Sequence, residues 1–230
     1  MKRVLLAAHV LTEGERLLYS ERFGVAQERF FCLPWPLKRA EDPTPAFRRA
    51  AIKSVVSSGR MFCDWVTLLK AAEGADWDLT IICAEEARPV VEVMAQRVGA
   101  RVLSNVSLEE HQQLLARANV YVISLHEAHI SSGQIRVMNA VRAGVPIVAT
   151  KVLGLEGYLK DGKTAVLVNP GDTGAMRRGI DCLLRNPDRG VRLAETLWHE
   201  ASMQTFEQYL DALKQTVHRI LFMNHGRVSN

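Results

Sequence analysis

The sequence predicts a doubly wound α/β fold with a parallel sheet, preceded by a short βαβ fragment. Three observations carry this. Short β-rich runs alternate with helical patterns along almost the whole chain, as they do where crossover helices join parallel strands. The 230 residues are 48% apolar and 23% charged, which suits a globular core and argues against collagen-like, disordered or coiled-coil chains. Finally, four of the eight prolines fall between residues 34 and 45, in LPWPLKRAEDPTP, and mark an extended linker between two units.

In chain order, residues 3–8 (RVLLAA) read as a strand, 12–23 as a helix and 29–33 (RFFCL) as a second strand. Beyond the linker, the paired valines of 53–58 (KSVVSS) predict a strand that runs into Gly59-Arg60, and a helix follows over about 64–74. Strand 78–83 (DLTIIC) precedes a helix over about 86–98, and a short strand covers 101–104. Helix 108–117 starts with Ser107 as N-cap and Glu109-Glu110 in its first turn. Strand 119–125 (NVYVISL) leads through a loop to helix 131–143, and strands 146–150 (PIVAT) and 165–169 (AVLVN) complete the sheet. The last sixty residues read as about three helices ending near Phe222.

Several classes are disfavoured at once. A fold of this length buries roughly 70% of its unfolded surface and needs no metal or disulfide staple. Cys32, Cys63, Cys83 and Cys182 form no CxxC pair, so a reducing, cytoplasmic setting is expected. The opening apolar run breaks at His9 without a small-residue cleavage site, and no run approaches the ~20 residues of a transmembrane span. The net charge of +4 comes from scattered bases, which permits an anionic ligand without demanding nucleic acid.

Among segments that could carry chemistry, Ser131-Ser132-Gly133-Gln134 before IRVMNAVRAGVP stands first. Ser131 and Gln134 have capping-box spacing, Ile135, Met138 and Val141 suggest a buried stripe, and Gly144 with Pro146 ends the helix. Free N–H groups and the positive end of the helix dipole would seat a phosphate there, with Gly133 allowing close approach. A capped core helix without a ligand is the equally ordinary reading. Gly59-Arg60 closes a strand at its carboxyl end, where open α/β sheets bind ligands. Arg60 could hold a diphosphate through paired N–H donors, or be a plain surface arginine on a βα turn.

Residues 157–164 (GYLKDGKT) match the phosphate-loop pattern GxxxxGK[ST]. That loop needs a helix starting at its Lys-Thr, yet AVLVNPG follows, so Asp161-Gly162 reads as a turn feeding a strand. His126, Glu127 and His129 follow the strand ending near Leu125 and could suggest a metal or an acid–base pair, but no third ligand cluster is evident. His9 lies just past the first strand and is a second candidate base, although a lone histidine is more often structural.

The order of these pieces resembles the C-terminal, donor-binding half of GT-B-fold glycosyltransferases, above all the retaining enzymes of family 4. Residues 54–74 resemble the first strand, Gly-Arg turn and helix of that Rossmann-like half, and residues 102–125 a helix ending in ARA before the next strand. Residues 131–172 resemble its strongest signature, a helix, GxP turn, strand, glycine-containing loop, DG turn and PGD. The first 45 residues are similar to the last βαβ unit of the family's N-terminal domain, with Phe23-Gly24-Val25 before the strand and Leu33-Pro34 at the crossover. The resemblance thus divides the chain into 1–45, a remnant of the acceptor domain plus linker, and 46–230, a nucleotide-sugar-binding domain with C-terminal helices.

Two departures from the family pattern stand out. The two glutamates spaced eight apart on the diphosphate-binding helix are Ser131 and Asn139 here, and Cys63 lies close to where many members carry a Lys or Arg. What the resemblance implies is a hexosyl-type transferase moving a sugar from a nucleoside-diphosphate sugar to an acceptor hydroxyl, with no cofactor or metal beyond the donor. Gly59, Arg60, Ser132, Gly133 and Gln134 would meet the diphosphate, Asn139 the ribose, and Asn105, Val106 and Ser107 the base. The catalytic group stays unassigned, with His9 and Glu127 as the candidates. A homodimer or a second subunit would supply the acceptor domain. Two other readings stand beside this one: a non-catalytic nucleotide-sugar-binding or scaffold subunit, and a compact enzyme glycosylating modified DNA bases.

Overall fold

The computed structural model describes residues 5–47 and 53–225. The first unit is β1 (Ala8–Val10), α1 (Glu13–Phe23) and β2 (Phe30–Cys32), with its two strands paired in parallel. The main unit then alternates β3 (Ser54–Gly59), α2 (Trp65–Ala72), β4 (Asp78–Cys83), α3 (Arg88–Ala95), β5 (Arg101–Leu103) and α4 (Leu108–Arg117). It continues with β6 (Val120–Ile123), α5 (Gln134–Ala143), β7 (Ile147–Thr150) and β8 (Val166–Val168), and closes on α6 (Thr173–Arg185), α7 (Pro187–Ala201) and α8 (Phe206–His225).

The six strands β3 to β8 form one parallel sheet in the order β5-β4-β3-β6-β7-β8. From β3 the chain builds outward through β4 to β5, then returns to the other side of β3 for β6. The sheet order therefore reverses between β3 and β6, and the crevice beyond their carboxyl ends is a topological switch point. Both faces are covered. Val55 and Val56 are both buried, but Val55 joins the cluster of Leu68, Ile81 and Met176, while Val56 joins that of Tyr121, Ile123 and Val137. This is the strand period of two in a sheet sandwiched by helices.

The first strand lies later than RVLLAA suggests. Residues 1–4 fall outside the described residues, and Leu5 and Leu6 are exposed because pairing begins only where Ala8 meets Phe30. The helix expected over 86–98 is α3 alone, followed by a 3-10 turn at Gln96–Val98 that ends on left-handed Gly99. The proline-rich stretch is extended, as its composition requires, yet it is packed. Trp35 donates its backbone N–H to Tyr158 Oη at 2.7 Å, and the Lys38 ammonium sits 3.8 Å from the Trp198 ring centroid. The last helix returns to this region. Phe206 N–H donates to the Lys38 carbonyl, and the Tyr209 ring lies 5.7 Å from Trp35 and 6.1 Å from His9.

Tyr158 is nearly inaccessible, and burial pushes its hydroxyl well above the ordinary tyrosine range. Tyr158→Phe leaves the Trp35 N–H without its acceptor, so a loss of about 1–3 kcal/mol is expected. Urea denaturation checks this; an unchanged midpoint would mean that water replaces the hydroxyl.

Candidate active site

A cleft of about 580 Å³ lies at the switch point, over the ends of β3 and β4 and between α4 and α5. One wall is the β3 end, Ser58-Gly59-Arg60, and another is the Asn105–Ser107 turn after β5. The α5 wall presents Ser132, Ile135, Arg136 and Asn139. None of the residues lining the cleft is an aspartate or glutamate. Seven of the residues singled out in the sequence therefore meet in one place: Gly59, Arg60, Asn105, Val106, Ser107, Ser132 and Asn139.

The local structure explains why. Asn105 adopts the left-handed conformation, with φ 53°, and ties its amide N–H to Glu85 at 3.0 Å, which turns the chain into the cleft. Ser107 then caps α4. Its hydroxyl accepts from Glu110 N–H at 3.2 Å, and the Glu110 carboxylate accepts from Ser107 N–H at 2.9 Å. Those bonds also hold the Glu110 carboxyl below its usual range.

The start of α5 differs from the expected capping box. The N-cap is Gly133, in a left-handed conformation at φ 104° with no side-chain cap, and the Ser131 hydroxyl is buried without a partner among the described residues. Gln134 instead donates its side-chain amide to the Gly154 carbonyl at 2.6 Å and is buried. A side chain at Gly133 would meet Leu155 and Leu125, so close packing of the following loop decides this geometry. Gly133 and Gln134 are not among the residues that line the cleft. The buried stripe is also rotated from the one anticipated: Gln134, Val137, Ala140 and Val141 are buried, while Ile135 is exposed.

Among the lining residues that the sequence reading missed, two carry ring or guanidinium nitrogens. Arg136 lies across Gly59, donates through Nη2 to the Met61 carbonyl at 2.7 Å, and approaches Cys63 Sγ at 3.2 Å. Its Nη1 is buried and finds no acceptor among the described residues. Burial pushes the Cys63 thiol up more than the Arg136 charge pulls it down. The other is His111, whose Nε2 lies 2.9 Å from Ser58 Oγ. The signal for Arg136 was available. It precedes Asn139 by three residues, so both occupy the same helix face.

Gly59 is what lets Arg136 reach this position. A Cβ there would collide with the Arg136 guanidinium and with Cys63 Sγ. Gly59→Ala is expected to displace the guanidinium and weaken binding of inorganic pyrophosphate severalfold, with little change in the urea midpoint. Equal pyrophosphate affinity, measured by calorimetry, would count against this.

The remaining candidates lie elsewhere. His9 bonds the Leu33 carbonyl through Nε2 at 2.8 Å and stacks on Phe31, a position internal to the first unit. Glu127 is exposed and accepts from Leu153 N–H at 3.3 Å. His126 lies 3.8 Å from Asp64 Oδ2, and among the described residues no group of three or more His, Cys, Asp or Glu side chains could hold a metal ion. In the phosphate-loop look-alike, Lys160 and Lys163 both pair with Glu200, at 2.8 and 2.6 Å, and a strand follows. All four cysteines are free, and no helix among the described residues is long and apolar enough to cross a membrane.

Comparison with known proteins agrees with this fold. The profile of the family described as glycosyl transferases group 1 matches residues 52–186. No curated protein matches the sequence. Among solved structures, a glycosyltransferase from Rickettsia africae superimposes with TM-score 0.78 at 11% identity, over 94% of this chain and 63% of that one. Sucrose-phosphate synthase from Thermosynechococcus elongatus gives 0.77 at 20% identity, over 94% and 58%. Anabaena HepE, solved in complex with UDP, gives 0.77 at 13% identity, over 93% and 64%. The chain thus spans about three fifths of these structures and shares their GT-B fold, with a Rossmann-like sheet. By its fold and by the match over more than half its length, the chain belongs to the group 1 glycosyl transferases.

Proposed function

We propose that the cleft binds a nucleoside-diphosphate sugar and that the protein transfers the sugar to an acceptor hydroxyl. The observation that carries this reading is the cleft at the sheet switch point, with two arginines, Arg60 and Arg136, and no carboxylate lining it. HepE, which shares the fold at 13% identity, is solved in complex with UDP. In the proposed mechanism the diphosphate leaves. The two guanidinium groups and the backbone around Ser132 stabilise its developing charge from preorganised positions. Gly59 admits the Arg136 guanidinium to the strand end, and the free N–H groups at the start of α5, around Gly133 and Gln134, would add the dipole of that helix.

Asn139 would hold the ribose and the Asn105–Ser107 turn the base. No cofactor beyond the donor is called for, since two guanidinium groups can meet the diphosphate charge. Residues 1–45 would form the acceptor-side remnant, and the other acceptor contacts would come from a second copy or a partner chain. A second reading, a nucleotide-sugar-binding subunit without turnover, is favoured by one observation. Both positions where relatives carry glutamates are here uncharged, Ser131 and Asn139.

Calorimetry and thermal shift with UDP-, GDP- and TDP-sugars test the proposal. A donor at a hundredfold excess over its Kd should add about 2.7 kcal/mol to apparent stability. Hydrolysis or transfer of the bound donor separates the enzyme from the binding subunit. No shift at millimolar donor, with folded protein, would overturn both.

A further inference from the structure

We propose that His111 and Asn105 read the nucleobase, selecting one whose edge places a ring N–H beside a carbonyl, as in uracil, thymine, guanine and hypoxanthine. This rests on the donor-binding reading and adds the class of base to it. The argument follows one chain of protons. Tyr121 is fully buried, and its hydroxyl has a single partner among the described residues, Ser58 Oγ at 2.5 Å. A buried phenol cannot leave its proton unpaired without a penalty, so Tyr121 donates to Ser58.

Ser58 is itself only 6% exposed and must place its own proton. The remaining partner is His111 Nε2 at 2.9 Å. Ser58 therefore donates and Nε2 accepts. A protonated imidazole would instead aim its N–H at Ser58, leaving the serine proton with no acceptor. Burial acts in the same direction, lowering the His111 pKa from its ordinary value. His111 is thus the neutral tautomer with its proton on Nδ1, and Nδ1 has no partner among the described residues. The relay turns two buried hydroxyls into one fixed N–H donor on a residue that lines the cleft.

Asn105 supplies the complement. Its Nδ2 is committed to the Glu85 carboxylate at 3.0 Å, which assigns the amide orientation and leaves Oδ1 as an acceptor. His111 stands one turn into the helix that the Asn105–Ser107 turn begins, and both residues line the same cleft. An N–H donor and a C=O acceptor lining one cleft match the edge formed by a ring N–H and its neighbouring carbonyl. Seated the same way round, cytosine and adenine present the reverse pattern, an amino group beside an unprotonated ring nitrogen, and would set donor against donor.

Two measurements test this. Long-range ¹H–¹⁵N spectra of histidine-labelled, ligand-free protein should show His111 as the Nδ1–H tautomer, and Ser58→Ala should remove that bias. Calorimetry then compares the matched pairs UDP with CDP, and IDP with ADP. The carbonyl member should bind roughly tenfold tighter or more, as for a well-placed donor–acceptor pair on a base edge. His111→Leu should bring each ratio close to one while leaving pyrophosphate affinity unchanged, and His111→Gln, which keeps an N–H donor, should restore part of it. If His111→Leu does not fold, Ser58→Ala carries the same test, because it removes the group that fixes the tautomer. An Nε2–H tautomer, equal binding within each pair, or ratios that survive these substitutions would overturn the assignment. Failure of all four nucleotides and pyrophosphate to bind would overturn the donor reading itself.

Discussion

Arg136→Met is expected to lower the affinity for UDP by roughly ten- to a hundredfold, the loss that follows removal of a charge-assisted hydrogen bond to a phosphate. Stability of the ligand-free protein should stay within about 0.5 kcal/mol. The two halves of this expectation have separate causes. Arg136 keeps one nitrogen, Nη1, buried and without a partner among the described residues, so the resting protein holds a desolvated donor that methionine would relieve. Its Nη2 contacts to the Met61 carbonyl and Cys63 would be lost in compensation. With a diphosphate bound, the same guanidinium would gain its missing acceptor. Cys63 lies close to where the family resemblance implies a Lys or Arg, and the Arg136 side chain reaches to 3.2 Å from its sulfur. The positive charge would thus be supplied from α5 instead of from the turn after β3. Calorimetry of UDP against the variant decides this, and wild-type affinity in Arg136→Met would remove the residue from the site. Arg60→Ala should show the same pattern, and the double variant should lose less than the sum, since both groups would share one ligand.

Glu15→Ala should be the most destabilising single change in the first unit, by about 3 kcal/mol or more. Glu15 is 4% exposed and accepts three hydrogen bonds: from Leu11 N–H at 2.9 Å, Ser131 N–H at 2.7 Å and the Tyr19 hydroxyl at 3.2 Å. The alanine strands the Leu11 and Ser131 N–H groups at the seam between α1 and the loop entering α5, while the Tyr19 hydroxyl keeps the His129 carbonyl at 3.2 Å. Gly14 lies so close to that seam that a Cβ would strike Leu153 and Glu156, which leaves little room for repair by rotation of α1. Urea denaturation reads the loss, and hydrogen exchange at Ser131 locates it. A shift under 1 kcal/mol would show that water fills the gap.

Most of the sheet was legible in the residues. Strand 78–83 and helix 108–117 fall where their patterns place them, because alternation and the Ser107 capping box are local signals. The start of α5 was not, since Ser131 and Gln134 have capping spacing yet tertiary contacts claim both. The Glu15 carboxylate takes the Ser131 N–H, and the Gly154 carbonyl takes the Gln134 side chain. Arg60 could be placed at the cleft from its strand end, and Asn105 and Asn139 from the family resemblance. His111 could not, because its partner Ser58 is 53 residues away and only the pairing of β3 with β6 brings Tyr121 beneath both.

The return of α8 to the first unit has a consequence for synthesis. On the ribosome, β1, α1 and β2 emerge ahead of the sheet, but Tyr209, whose ring closes over His9 and Trp35, emerges some two hundred residues after His9. The sheet from β3 to β8 can assemble as it is made, whereas the segment before it waits with its aromatic side chains uncovered until α8 follows. A unit made before the sheet is finished after it, and that interval is when chaperones have most to hold.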